Sequence, residues 1–359
     1  MKRISKFIVA VFVMGLLLSL MTVAAFAEVT VSSEEGLQDV IDDLDDGEEV
    51  TIISSGNLVL EEGLEIDDPC TIHFKNITFT QESEFEEAAI YVESDDVTLD
   101  FTGCTFDSIK CREQSPIYIE GKNCTVKGGT FNGCCNYEGD GGAIYIEGDN
   151  GTIVGCAFNN CSTVKDEGED GGAIYLNGER CLVSGCTFYY CVSYNDGGAI
   201  CVNHDECSIE NCDFTGCAAH DDGGAIYVCT WVEYTYITNC TFTDCVTKHN
   251  HSRFDTICFG LIFSCSDTCS EIAFEGCTFN TEASYEDNID TVGSTSIKNC
   301  NKFNNDVSVS TDYRRGISNT GSILSAGNVV IICVVAAAAV AGVAAAVVVS
   351  KKKKATAEN

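Results

Sequence analysis

Proline is nearly missing from this chain, with two in 359 residues against 33 glycines. That balance suits regular strands joined by tight turns. Basic residues are also scarce, with 20 lysines and arginines against 55 acidic side chains and a formal net charge of −35. Lys2, Arg3 and Lys6 lie at the start and four lysines at 351–354, so residues 28–327 hold 13 basic against 54 acidic groups, a net −41. Self-repulsion of that size argues against nucleic acid and anionic membrane surfaces as partners. It suits divalent cations and cationic partners.

The two ends carry the only long apolar runs. Residues 7–23 are apolar, follow a basic start and precede Ala25-Phe26-Ala27, the pattern of a cleaved signal peptide. Residues 329–349 hold no charge; as a helix they would be ~31 Å long, enough to span a bilayer. Lys351 to Lys354 follow directly, so the positive-inside rule places the tail in the cytoplasm. The expected organisation is a signal peptide at 1–27, an N-terminal cap at 28–60 and a repeat region at 61–305. A stalk at 306–328, a transmembrane helix at 329–349 and a basic cytoplasmic tail at 350–359 follow. The bulk of the chain is then displayed on a cell surface.

The central region is periodic. Near-copies of one nonapeptide begin at Asp140, Asp170, Asp196 and Asp222, each reading DGGAI. Ile90, Ile117, Ile144, Ile174, Ile200 and Ile226 recur every 26–30 residues, and Phe106, Phe131, Phe158, Phe188, Phe214 and Phe242 share the period. Weaker units at Ile66/Phe79, Ile257/Phe279 and Ile289/Phe303 bring the count to about nine. Inside a unit, Ile144 and Ile146 alternate with Tyr145 and Glu147, the period of a strand. Each unit reads as about three short strands with no helical segment between them. The solution is an all-β, right-handed parallel β-helix of about nine rungs, rising ~43 Å. Leu37, Val40, Ile41 and Leu44 at helical spacing predict an amphipathic helix over its first rung, with Ser32 and Glu35 as a capping box.

The four GGAI copies, with Phe a fixed step later, resemble the repeat of chlamydial polymorphic outer-membrane proteins and the wider pectin-lyase-like β-helix superfamily. The second motif of that repeat is F-x-x-N; here it is F-x-x-C, as at Phe131–Cys134 and Phe158–Cys161. Those relatives end in an outer-membrane barrel, whereas this chain ends in one apolar run and four lysines. The resemblance implies the fold, and it implies adhesion as a role.

In a solenoid each repeated position becomes a ladder. The Phe column predicts stacked core aromatics. Two cysteine columns, Cys156, Cys186, Cys212 and Cys240, and Cys134, Cys161, Cys191, Cys217 and Cys245, allow either disulfides between rungs or packed thiols. No CxxC pairs recur at zinc spacing. Asp140, Asp170, Asp196 and Asp222 either make local turn bonds or hold Ca²⁺, the one cofactor the pattern suggests, though none is required. Tyr91, Tyr118, Tyr145, Tyr175 and Tyr227, interrupted by Cys201, follow each anchor Ile and point outward, with Glu93, Glu120 and Glu147 two positions on. That face either stabilises the surface across rungs or binds an extended glycan or a partner protein.

No catalytic residues are assigned. Asp221-Asp222 matches one piece of a polygalacturonase-like set, but its G-H-G and R-I-K pieces are missing, and Asp222 is merely a repeat position. His204, His220, His249 and His251 read as loop residues. The expected function is adhesion or ligand binding through the long face of a membrane-anchored β-helix. The alternatives are a membrane-tethered polysaccharide lyase or glycoside hydrolase, and a passive surface spacer.

Overall fold

The computed structural model describes residues 28–54, 56–164, 169–229, 232–247, 262–280, 289–298 and 307–310, with side chains described up to residue 280 other than 262–271. The expected signal peptide, membrane span and tail lie outside the described residues, as do Ile257 and Phe303. Among the described residues no helix is long and apolar enough to cross a membrane.

Strands coil into three sheets of parallel pairs, apart from one antiparallel pair at the end, and each of the six coils from Ile90 to Thr247 contributes to all three. One coil runs Ile144–Ile146, Thr152–Val154, Ala157–Asn159 and Ser162–Thr163. The first two belong to a 19-stranded sheet, the third to a nine-stranded sheet and the last to a six-stranded one. Pairing is with the coil before and the coil after, so equal residues fall in register. Ile117, Ile144, Ile174 and Ile200 stack directly, as do Phe106, Phe131, Phe158 and Phe188. The two-residue fourth strand was not apparent from the repeat, because two residues are too few to show an alternation.

The core is this stack. Ile90, Ile117, Ile144, Ile174, Ile200 and Ile226 are fully buried, and so are Phe131, Phe158, Phe214 and Phe242. Phe rings from Phe79 to Phe279 lie 4.7–5.3 Å apart and within 13° of parallel. That spacing is the strand separation itself, so ring stacking and backbone pairing reinforce each other. Phe74 and Phe101 form a second, shorter stack at 4.8 Å, edge-on to the first.

The Gly-Gly pairs have two different duties. Gly141, Gly171, Gly197 and Gly223 have φ between +61° and +69°, which a side chain disfavours. Gly142, Gly172 and Gly198 lie so close to the next coil that a Cβ would collide with the carbonyl oxygen of Gly172, Gly198 and Gly224 respectively.

The ends of the repeat differ from the expected boundaries. Leu64, not Ile66, pairs with Ile90, because strand alternation puts both residues on the inner face and only pairing chooses between them. Likewise Ile262 takes the anchor position after Ile226. Parallel pairing reaches back through Cys70–Lys75 and Glu48–Ser54 to Glu28–Val31, so coiling begins before residue 61. At the other end Val307–Ser310 pairs antiparallel with Ile289–Lys298, so these four residues are a strand rather than stalk.

A helix, Glu34–Asp42, buries Leu37 and Ile41. Its cap is Ser33, whose hydroxyl accepts from the Gly36 N–H; Ser32 and Glu35 do not form the expected box. The Glu34 carboxylate instead accepts from the N–H groups of Glu61, Glu62 and Gly63. The Gln38 amide exchanges two hydrogen bonds with the Glu65 backbone, 2.9 and 3.0 Å, serving its strand as a missing neighbour would.

Candidate functional site

Because Ile points into the coil, the residue after it stands on the outer face of the large sheet. Tyr91, Tyr118, Tyr145 and Tyr175 stack there at 5.7, 4.7 and 5.0 Å. The Tyr91 hydroxyl donates to the Glu120 carboxylate one rung on, and Tyr118 donates likewise to Glu147. The bond to Glu120, with burial, holds the Tyr91 phenol above its ordinary pKa; for Tyr118 burial leads and Glu147 adds to it.

This ladder does not form the single exposed face expected of it. Tyr91, Tyr118 and Tyr145 are half-buried, and Glu93, Glu120 and Glu147 are exposed. Tyr175 and Tyr227 are only 8% exposed and form a small apolar cluster with Cys201 outside the coil. Stacking also consumes the ring faces. The ladder therefore presents ring edges, and beside them a line of carboxylates spaced by the rung repeat.

The turn aspartates form a ladder of their own. Asp140 Oδ1 accepts the Asp170 N–H at 2.7 Å, Asp170 Oδ1 the Asp196 N–H at 3.0 Å, and Asp196 Oδ1 the Asp222 N–H at 2.8 Å. These bonds run between rungs rather than within one turn, so the local-turn expectation does not hold for them. Burial raises the Asp140 carboxyl to about 7, Asp170 to about 6 and Asp196 to about 8. The like charge of neighbouring acidic groups adds to each of these, and the backbone bonds oppose it.

All nine ladder cysteines are buried free thiols. Cys161, Cys191 and Cys217 donate to the carbonyl oxygens of Phe131, Phe158 and Phe188 on the preceding rung, 3.4–3.7 Å away. Cys186, Cys212 and Cys240 do the same toward Ile153, Val183 and Ile209. Cys134 reaches Phe106 and Cys156 reaches Gly128, while Cys245 bonds within its own coil to Thr243. Packed thiols, not disulfides, fill these columns.

A second polar cluster lies outside the residues that the repeat pattern marks. His73 Nε2 lies 2.6 Å from Glu49 Oε1, and His73 Nδ1 lies 3.2 Å from Asp100 Oδ2. Lys127 Nζ donates to the same Asp100 oxygen at 3.1 Å. Desolvation would raise the Asp100 carboxyl, but bonds from the Thr102 hydroxyl and N–H, Lys127 and His73 hold it at about 2. The signal was available: His73, Asp100 and Lys127 are spaced by 27, the step of the Ile anchors there. Of the histidines weighed from sequence, His220 stacks on Tyr194, His204 is exposed, and His249 and His251 lie outside the described residues.

Residues 62–242, about half of the chain, match the family described as "right handed beta helix region". A search of curated proteins finds no match. Among solved structures, an alginate lyase from Paenibacillus sp. str. FPU-7 is similar in fold, at a TM-score of 0.47 and 11% identity, covering 75% of this chain and 98% of that one. With register-locked coils across the matched residues, the chain belongs to the right-handed β-helix family.

Proposed function

We propose that the chain is a surface-displayed binding protein whose outer sheet face takes an extended glycan lying along the coil axis. The carrying observation is the row of Glu93, Glu120 and Glu147 beside the half-buried Tyr91, Tyr118 and Tyr145. Tyr91 and Tyr118 pin two of those carboxylates, so little side-chain freedom is lost when a ligand arrives. Carboxylates accept hydrogen bonds only, and the acidic chain repels polyanions. The ligand class is a neutral or amine-bearing polysaccharide rather than a polyuronate. Residues 1–27 and 329–349 supply the secretion and anchoring in this reading. A glycan array probed with the detergent-solubilised full chain tests it. Glu120→Ala/Glu147→Ala should abolish the signal at unchanged melting temperature; unchanged binding overturns the reading.

A second reading, a polysaccharide-active enzyme, is favoured by one observation: an imidazole held between two carboxylates with a lysine beside them. Incubation with a panel of polysaccharides tests it by released reducing or unsaturated ends. His73→Ala should abolish the release, and no release by the unaltered chain rejects the reading.

A further inference from the structure

Cys201 and Cys229 differ from the ladder cysteines in where they stand. Cys201 occupies the outward tyrosine column, and Cys229 the column of Glu93, Glu120, Glu147, Asn177 and Asn203. The two sulfurs lie 3.3 Å apart, and Cys201 Sγ is 3.8 Å from Asp170 Oδ2. All three donor atoms fall within 4.8 Å of one another.

The carboxylate is already aimed. Asp170 Oδ1 accepts from the Asn195 amide at 2.8 Å and from the Asp196 N–H, which turns Oδ2 toward the sulfurs. Tyr175 and Tyr227 pack with Cys201 and shield the group from water. Cys201 itself is fully buried and Cys229 half-buried.

We propose that Asp170, Cys201 and Cys229 bind a zinc ion. Tetrahedral zinc with ordinary Zn–S and Zn–O bonds sets its ligand atoms ~3.7 Å apart for two sulfurs and ~3.6 Å for sulfur and oxygen. The observed 3.3 and 3.8 Å lie within a few tenths of an ångström of those edges. A disulfide fits less well. Cys201 is in register with Tyr227, so Cys229 is its diagonal neighbour two residues on. One rung across and two residues along a parallel pair is ~8 Å at Cα, beyond the ~6.8 Å that a disulfide spans. Binding releases the two thiol protons to solvent and involves no change of oxidation state. Three protein ligands leave the fourth position to water or to an incoming ligand atom. Using Asp170 this way differs from a calcium site along the four aspartates, because the soft sulfurs choose the metal.

The test uses the reduced, folded full chain. Elemental analysis after zinc loading and desalting should give about one zinc per chain. Cobalt loading should give sulfur-to-cobalt charge-transfer bands and the intense visible bands of a tetrahedral ion. Cys201→Tyr/Cys229→Asn restores the residue types of the neighbouring rungs, so it should fold and should lose both the zinc and the bands. Cys134→Ser, in the core, should keep them. Failure of the unaltered chain to take zinc or cobalt, bands that survive the double substitution, or a mapped Cys201–Cys229 disulfide would each overturn the proposal.

Discussion

Asp140 Oδ1 accepts the backbone N–H of Asp170 at 2.7 Å, and the same bond links Asp196 to Asp222 at 2.8 Å. A carboxylate in this ladder is both a structural acceptor and a partly desolvated acid.

The pH dependence of stability follows. Asp140, Asp170 and Asp196 have folded pKa values of about 7, 6 and 8, above the ordinary carboxyl value of 3.8. Between that value and about 8 the folded state binds more protons than the unfolded one. Stability is therefore greatest at the acid end of the window and is lost as pH rises through it. With chelator present, the melting temperature should fall from pH 5 to pH 8. Asp196→Asn keeps an acceptor oxygen without the charge and should flatten that slope. An unchanged slope would show that the ladder is not its source.

The Phe stack sets the largest single side-chain effect. Phe158 is fully buried and stacked on both Phe131 and Phe188 at 5.0 Å. Phe158→Ala should cost about 3–5 kcal/mol in denaturant unfolding.

Glycine substitutions should separate strain from collision. Gly185 has φ +62° with open space where a Cβ would go, so Gly185→Ala should cost about 1–2 kcal/mol. In Gly198→Ala the new methyl meets the Gly224 carbonyl and the Ala218 backbone, forcing two coils apart. That variant should fail to accumulate as folded protein, as circular dichroism and gel filtration would show.

Tyrosine substitutions should divide by burial rather than by column. Tyr118→Ala should weaken glycan binding by about tenfold or more and move the melting temperature little. Tyr175→Ala should destabilise the fold by about 3 kcal/mol, because its ring is enclosed. Equal melting temperatures for the two variants would contradict the division.

The thiol columns can be counted directly. Alkylation without reductant should leave the nine core ladder cysteines unmodified in the native chain and modify all of them in denaturant. Any ladder cysteine that stays blocked in denaturant would indicate a disulfide.

The columns were legible before the structure because a solenoid writes each core position once per coil. Ile90 to Ile226 and Phe106 to Phe242 pair in the register their spacing predicts. Where the repeat weakens, alternation alone could not choose Leu64 over Ile66, since both side chains face inward. The His73, Asp100 and Lys127 cluster carried the right period but no repeated residue type, so nothing marked it as a column.

By itself the sequence determined which residues enter the core and that the chain coils, because inward burial depends on period and residue type alone. What happens on the outside was decided by tertiary structure. Tyr91 and Tyr175 share a column, yet one is half-buried and the other enclosed, because enclosure depends on which outer groups pack against each ring. The approach of Cys201 to Cys229 is likewise diagonal, across two columns and two rungs. No one-dimensional period records a diagonal, so only the folded coil brings those sulfurs and Asp170 together.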